Sequence, residues 1–190
     1  MAFRGGALLV ALAVSLGALS ITWSNAAEVV RSPADLKRQE VALHDLDIRD
    51  GRGTRLDLDH HPGKILIVNF WANWCAPCLQ ELPQMEQLKR NLGDKIDIVL
   101  VSSQNDWARD RLFAQQHHLS FPLYVYSRNE MQVDAAALLA KVRGPTTLEI
   151  PLPVTALFMP NGHLVDAFAG PKKWDSPTIE QDLRDLSQVR

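Results

Sequence analysis

Ile65-Leu66-Ile67-Val68 is a continuous apolar run rich in β-branched side chains, the pattern of a strand covered on both faces. Ile96 to Val101 reads as a second buried strand and Leu123 to Tyr126 as a third. Between the first two, Leu82, Met85, Leu88 and Leu92 recur at helical spacing, and Gly93 offers a stop, so the pattern predicts a helix from about Cys75. Asp106 is placed to cap a further helix running to His118, with Ala108, Leu112 and Gln115 along one line. Residues 130–142, rich in alanine and leucine, predict a third helix that ends near Gly144.

Past three prolines at 145, 151 and 153, the strands Val154–Met159 and Leu164–Ala169 flank Pro160-Asn161-Gly162-His163, and Asn-Gly between apolar runs is a hairpin signal. Ser176-Pro177 opens a closing helix with Ile179, Leu183 and Leu186 on one face. At the other end, Val41–Ile48 and Arg55–Asp59 read as short strands joined through Asp50-Gly51-Arg52-Gly53, an N-terminal hairpin. Helices between buried strands imply parallel crossovers, while the late hairpin adds antiparallel strands. The expected architecture is α/β, a mixed central sheet flanked by helices, with the N-terminal hairpin as an extension.

The first 27 residues carry a different pattern. Arg4 is the only charge before Glu28, Ala7 to Ile21 is almost wholly apolar, and small residues stand at Ser24 and Ala26. This describes a secretory signal peptide cut after Ala26 or Ala27. Gly5 to Ala27, without a charge, is also long enough to serve as an uncleaved anchor, and Arg4 on the cytoplasmic side places the domain outside in both cases. The expected division is 1–27 signal peptide or membrane anchor, 28–40 a lead-in, and 41–190 one domain, with a periplasmic location.

Composition changes this picture little. Of 190 residues, 46% are hydrophobic and 22% charged, the balance of a globular domain rather than a disordered chain. A net charge of −2 gives no basic stripe, so nucleic acid is not an expected partner. The cysteine count matters more. There are 2 cysteines, Cys75 and Cys78. A pair this close constrains the unfolded chain little, so it reads as chemistry rather than as a staple.

The chemistry is legible in Val68-Asn69-Phe70-Trp71-Ala72-Asn73-Trp74-Cys75-Ala76-Pro77-Cys78. Cys75 falls at the N-terminus of the predicted helix, where unpaired N–H groups and the helix dipole favour a thiolate. Only the thiolate attacks a disulfide, which makes Cys75 the nucleophile and Cys78, one turn further in, the resolving residue of a Cys75–Cys78 couple. Tetrahedral zinc would need two more ligands, and neither a second C-x-x-C nor an H-x₃₋₅-H stretch exists. No metal and no cofactor beyond the cysteine pair are expected. His60-His61 reads as a solvated turn, and Trp107 and Trp174 as packing residues.

Asn69 through Pro83, with Glu81-Leu82-Pro83 after the cysteines, resembles the active-site segment of the thioredoxin-like TlpA/ResA group of periplasmic disulfide reductases. Leu152-Pro153-Val154-Thr155 and the Asn161-Gly162 turn resemble that group's cis-proline loop and hairpin. The resemblance covers about residues 41 to 190. It implies a thioredoxin fold, a membrane thiol reductant as partner, and exported cysteine-containing proteins such as apocytochromes or copper-site proteins as substrates. It makes Pro153 the cis-proline beside the cysteines and leaves the backbone of Leu152 to pair with a substrate strand. Trp74, next to Cys75, is a packing residue or a substrate contact. Glu81 admits two readings. By resemblance it is a partly buried carboxylate that tunes or shuttles the cysteine protons, and by position alone an ordinary exposed helix glutamate. Thioredoxin itself carries a buried aspartate where Asn69 stands, so Glu81 is the candidate to replace that proton acceptor. Two alternatives share the fold: a disulfide oxidase or isomerase, and a copper chaperone. The chaperones need a C-x-x-x-C spacing, one residue longer than the spacing here.

Overall fold

The computed structural model describes residues 48–56, 61, 63–104, 106–126, 135, 138–140, 142–143 and 151–188. The predicted leader, the lead-in and the first strand up to residue 47 lie outside them. The described elements are β1 (Ile48–Arg49), β2 (Ile65–Trp71), α1 (Ala76–Leu92), a 3-10 turn (Gly93–Lys95), β3 (Ile96–Ser102), α2 (Trp107–Gln116), β4 (Leu123–Tyr126), β5 (Val154–Phe158), β6 (Leu164–Ala169) and α3 (Pro177–Leu186). Described residues from 135 to 143 are helical, in keeping with the helix expected at 130–142.

One sheet in the order β1-β4-β3-β2-β5-β6 carries these elements. β2 runs parallel to β3, and β3 to β4, as their helical crossovers require. β5 joins β2 antiparallel and β6 closes the hairpin on β5. This is the mixed sheet expected for a thioredoxin fold. Side chains alternate across β2 and so define two cores. Ile65, Ile67 and Trp71 belong to a cluster with Leu82, Met85 and Leu88 of α1 and Ile179, Leu183 and Leu186 of α3. Leu66, Val68 and Phe70 face Leu138, Leu139 and Val142 on the opposite side. On that second side Arg143 grips the buried Asp166 of β6 with its guanidinium, 2.9 and 3.0 Å to the two carboxylate oxygens.

α1 follows its predicted stripe. Leu82, Met85, Leu88 and Leu92 are all buried, and Gly93 closes the helix at φ 57°, a conformation that glycine alone adopts without cost. α2 departs from its prediction. Asp106 caps it by accepting from the Arg109 N–H at 3.1 Å, but the inward residues are Asp110 and Ala114, and Leu112 is 55% exposed. Phe113, not Leu112, packs against the first core, its ring 5.4 Å from that of Trp71.

Among the described residues the N-terminal hairpin is represented by its tight turn. Asp50 N–H donates to the Thr54 carbonyl and Leu56 N–H to the Ile48 carbonyl, both at 2.8 Å. Arg55 makes an isolated bridge to Arg49 rather than a strand, and β1 takes its place in the sheet by pairing antiparallel with β4. Residues 57–59 of the predicted second arm lie outside the described set. Gly51 in the turn lies so close under the Trp107 ring that a Cβ there would stand 1.9 Å from it. Trp107 is thus a packing residue, as expected. His61 is not solvated as expected: its Nδ1 lies 2.8 Å from Asp97 Oδ2, with Lys64 and Lys89 on the same carboxylate. Burial alone would push the Asp97 carboxyl up, but these hydrogen bonds and the Lys89 charge hold it below its usual value.

Candidate active site

β2 ends at Trp71, and the chain turns through Ala72-Asn73-Trp74 before α1 begins. Cys75 N–H donates to the Ala72 carbonyl at 3.1 Å and closes this turn, and Ser103 N–H holds the Trp71 carbonyl at 3.0 Å. Cys75 is the N-cap of α1, and its sulfur accepts from the Cys78 N–H at 3.3 Å. The helix therefore starts on a cysteine doing what serine or aspartate does at other helix starts. In the reduced state the same N–H and the helix dipole favour negative charge on that sulfur. Pro77 falls in the first turn, where its missing N–H leaves no bond unmade. Cys75 and Cys78 are joined as a disulfide, S–S 2.04 Å. Both are buried, while Trp74 beside them is 65% exposed. The Trp74 indole thus stands at the surface beside the sulfur pair and not in the core.

The second expected block arrives at the same place. Val154 pairs with Phe70 and Thr155 with Asn69, so Pro153 and Leu152 leave the sheet at the end where Trp71 leads into the cysteine turn. The Leu152–Pro153 bond is cis, the Pro153 side chain is buried, and its carbonyl accepts from the Gly170 N–H at 2.8 Å. Leu152 is half-buried and packs against both cores.

Glu81 resolves the choice left open by position alone, because it is buried at 1% exposure and is not a surface glutamate. Its Oε1 accepts from Asn69 Nδ2 at 2.7 Å. Its Oε2 accepts from the Lys172 N–H and from Trp174 Nε1, each at 3.2 Å. Burial pushes the carboxyl above its usual value, against the opposing pull of the Lys172, Asn69 and Trp174 hydrogen bonds. This raised carboxyl group stands one helical turn past Cys78.

Three residues of this network, Asn69, Thr155 and Trp174, were not picked out from the sequence as the surroundings of Glu81. Asn69 is a buried polar residue in an otherwise apolar strand, and such a group must find a partner. Thr155, also buried, takes a second bond from Asn69 Nδ2 at 3.0 Å. Trp174 sits in the short segment after β6, fully buried, its backbone N–H bonded to Gln84 Oε1 of α1 at 3.0 Å. A large aromatic residue among lysines, aspartate and proline was the available signal. Asp110 was missed as well. Its carboxylate accepts from Asn73 Nδ2 at 3.3 Å and so ties α2 to the cysteine turn. Burial raises it above the usual aspartate value, against hydrogen bonding to Ser102 and Asn73.

The site thus combines a capping sulfur, a second sulfur one turn deeper, a buried carboxyl behind both, and a cis-proline at the same end of the sheet. These groups can carry two electrons and the accompanying protons without a metal ion or organic cofactor. Among the described residues no three His, Cys, Asp or Glu side chains gather in a way that could hold a metal.

Comparison with known proteins places this geometry. The chain is 36% identical over 84 residues to the thioredoxin-like protein YneN of Bacillus subtilis, covering 43% of this chain and 49% of that one. It is 29% identical over 124 residues to the thiol-disulfide oxidoreductase ResA of the same organism, covering 65% of this chain and 63% of that one. The chain thus spans between about half and just under two thirds of these curated relatives. Among solved structures, a secreted thiol-disulfide isomerase from Corynebacterium glutamicum superposes with a TM-score of 0.61 at 17% identity, over 83% of this chain and 91% of that one, a likeness of fold. Residues 38–183 match the Redoxin family, well over half of the chain. The chain belongs to the Redoxin family and resembles, within its reach, thioredoxin-like proteins such as ResA.

Proposed function

We propose that this protein is an exported thiol–disulfide oxidoreductase that reduces disulfides in periplasmic proteins, such as apocytochromes or copper-site proteins, through the Cys75–Cys78 couple. The observation that carries the reading is a disulfide seated on the first turn of α1 with the buried Glu81 carboxyl behind it. Export is supported by the leader-like pattern of residues 1–27, and the substrate class by the resemblance to ResA-type proteins.

In the working direction Cys75 thiolate attacks one sulfur of a substrate disulfide. That S–S bond breaks, a mixed disulfide forms on Cys75, and the released substrate thiolate takes a proton from solvent. Cys78 then gives its proton to the Glu81 carboxylate and, as a thiolate, attacks the Cys75 sulfur. The second substrate thiolate leaves, and two electrons have passed from the protein to the substrate. A membrane thiol reductant restores the dithiol by the reverse exchange. Trp74 and the backbone of Leu152 flank the reacting sulfurs and receive the substrate strand by edge pairing. Pro153 lacks an N–H, so it cannot compete for that pairing.

The direction of electron flow is tested by equilibrating the couple with glutathione. Reductase work requires a potential of about −250 mV or lower, whereas a value near about −120 mV would assign the protein to disulfide formation instead.

A further inference from the structure

Asn69 carries an unexplained atom. Its Nδ2 donates to Glu81 Oε1 at 2.7 Å and to Thr155 Oγ1 at 3.0 Å, while its Oδ1, equally buried, has no hydrogen-bond partner among the described residues. Buried acceptors are rarely left unpaired. This one belongs to the residue that touches a carboxyl group which, on taking a proton, changes from acceptor only to donor. The two oxygens of that carboxyl are not equivalent. Oε2 faces two N–H groups, those of Lys172 and Trp174, and neither can turn away: one is backbone, and the other is a fully buried indole also held through its own backbone N–H by Gln84. Among the described residues Oε1 accepts only from the Asn69 amide. Half a turn of that amide exchanges Nδ2 for Oδ1 and presents an acceptor where a donor stood. Thr155 follows without moving, because its hydroxyl accepts from an N–H in one state and donates to an oxygen in the other.

We propose that Asn69 is the positioning residue of this proton site, its amide rotating so that Glu81 takes the proton at Oε1 while Oε2 keeps its two bonds to the 172–174 segment. The proposal rests on the proton role given to Glu81 above. In that step the Cys78 S–H bond breaks, an O–H bond forms at Oε1, and the amide turns. Because Oε2 is undisturbed, the segment after β6 stays anchored to α1 in both protonation states. The groups that face Glu81 are neutral: Asn69 from β2, with Thr155 of β5 behind it, and the Lys172 N–H and Trp174 indole from the segment after β6. On its own helix Cys78 stands three positions before it, with Cys75 at the N-cap, and the Lys172 ammonium lies over the Phe168 ring at 4.6 Å.

The test is a nuclear magnetic resonance titration of the oxidised protein, in which neither cysteine titrates, following the Glu81 carboxyl carbon and the Asn69 side-chain amide together. The expected result is one shared midpoint, across which the Overhauser contact between the Asn69 amide protons and the Thr155 side chain falls several-fold on the acid side. Asn69→Asp, which offers only oxygen toward Oε1, should raise the proton affinity of Glu81 at least tenfold. A Glu81 titration that leaves the Asn69–Thr155 contact unchanged overturns the proposal. The wild-type measurement needs no variant, so it decides the matter even if Asn69→Asp does not fold. A protein that shows the coupled titration yet exchanges no disulfides loses the proposed function and keeps this switch; an active oxidoreductase with a fixed Asn69 amide loses only the switch.

Discussion

Replacing Cys75 by serine should lower dithiothreitol-driven reduction of insulin by this protein at least about a thousandfold, because the attacking thiolate is gone and serine at the same cap is not ionised near neutral pH. Cys78→Ser should fail differently. Cys75 still caps α1 and still attacks, but no second sulfur resolves the product, so the variant should accumulate as a mixed disulfide with its substrate. The two outcomes separate the roles that the geometry assigns, since one variant is inert and the other is trapped. Cys75→Ser activity within tenfold of the parent would remove Cys75 from the reaction. A Cys78→Ser variant that turns over freely would remove the resolving step.

The second large effect lies away from the sulfurs. Trp174 is fully buried, packs against Phe168 with ring centroids 5.7 Å apart, and gives its indole N–H to Glu81 and its backbone N–H to Gln84. Trp174→Ala should cost about 3–5 kcal/mol in urea unfolding, the range for emptying a large aromatic site in a packed core. Trp174→Phe keeps most of the ring volume and removes only the indole donor, so it should cost less and act mainly on the proton site. One of the hydrogen bonds that favour the charged form of Glu81 is lost, and the carboxyl should hold its proton to higher pH. A Trp174→Ala variant within 1 kcal/mol of the parent would mean that this segment is not part of the core.

The difference between what was and was not readable in the sequence follows from how far apart the partners lie along the chain. The α1 stripe from Leu82 to Leu92 was legible because one helix face meets one core, and the spacing of four side chains states that directly. The cysteine cap was legible for the same local reason. Glu81 was legible only through the family resemblance, because three positions past Cys78 is compatible with either face. Its environment is supplied by Lys172 and Trp174, more than ninety positions away, and by Asn69 on β2. α2 misled because its inward face carries a charge. Asp110 is turned in by Asn73 of the cysteine turn, so the apolar Leu112 is left outside, and a hydrophobic count selects the wrong line. His61 read as solvated for a similar reason, since its partner Asp97 lies across the sheet on β3.

The central claim is that the sulfur capping α1 is the nucleophile, and the most direct measurement is alkylation of the fully reduced protein by limiting iodoacetamide across pH, with each cysteine resolved by mass spectrometry. The account predicts that Cys75 is modified first at every pH, with its reactivity rising at lower pH than that of Cys78. Modification that falls first on Cys78, or equally on both, would contradict it.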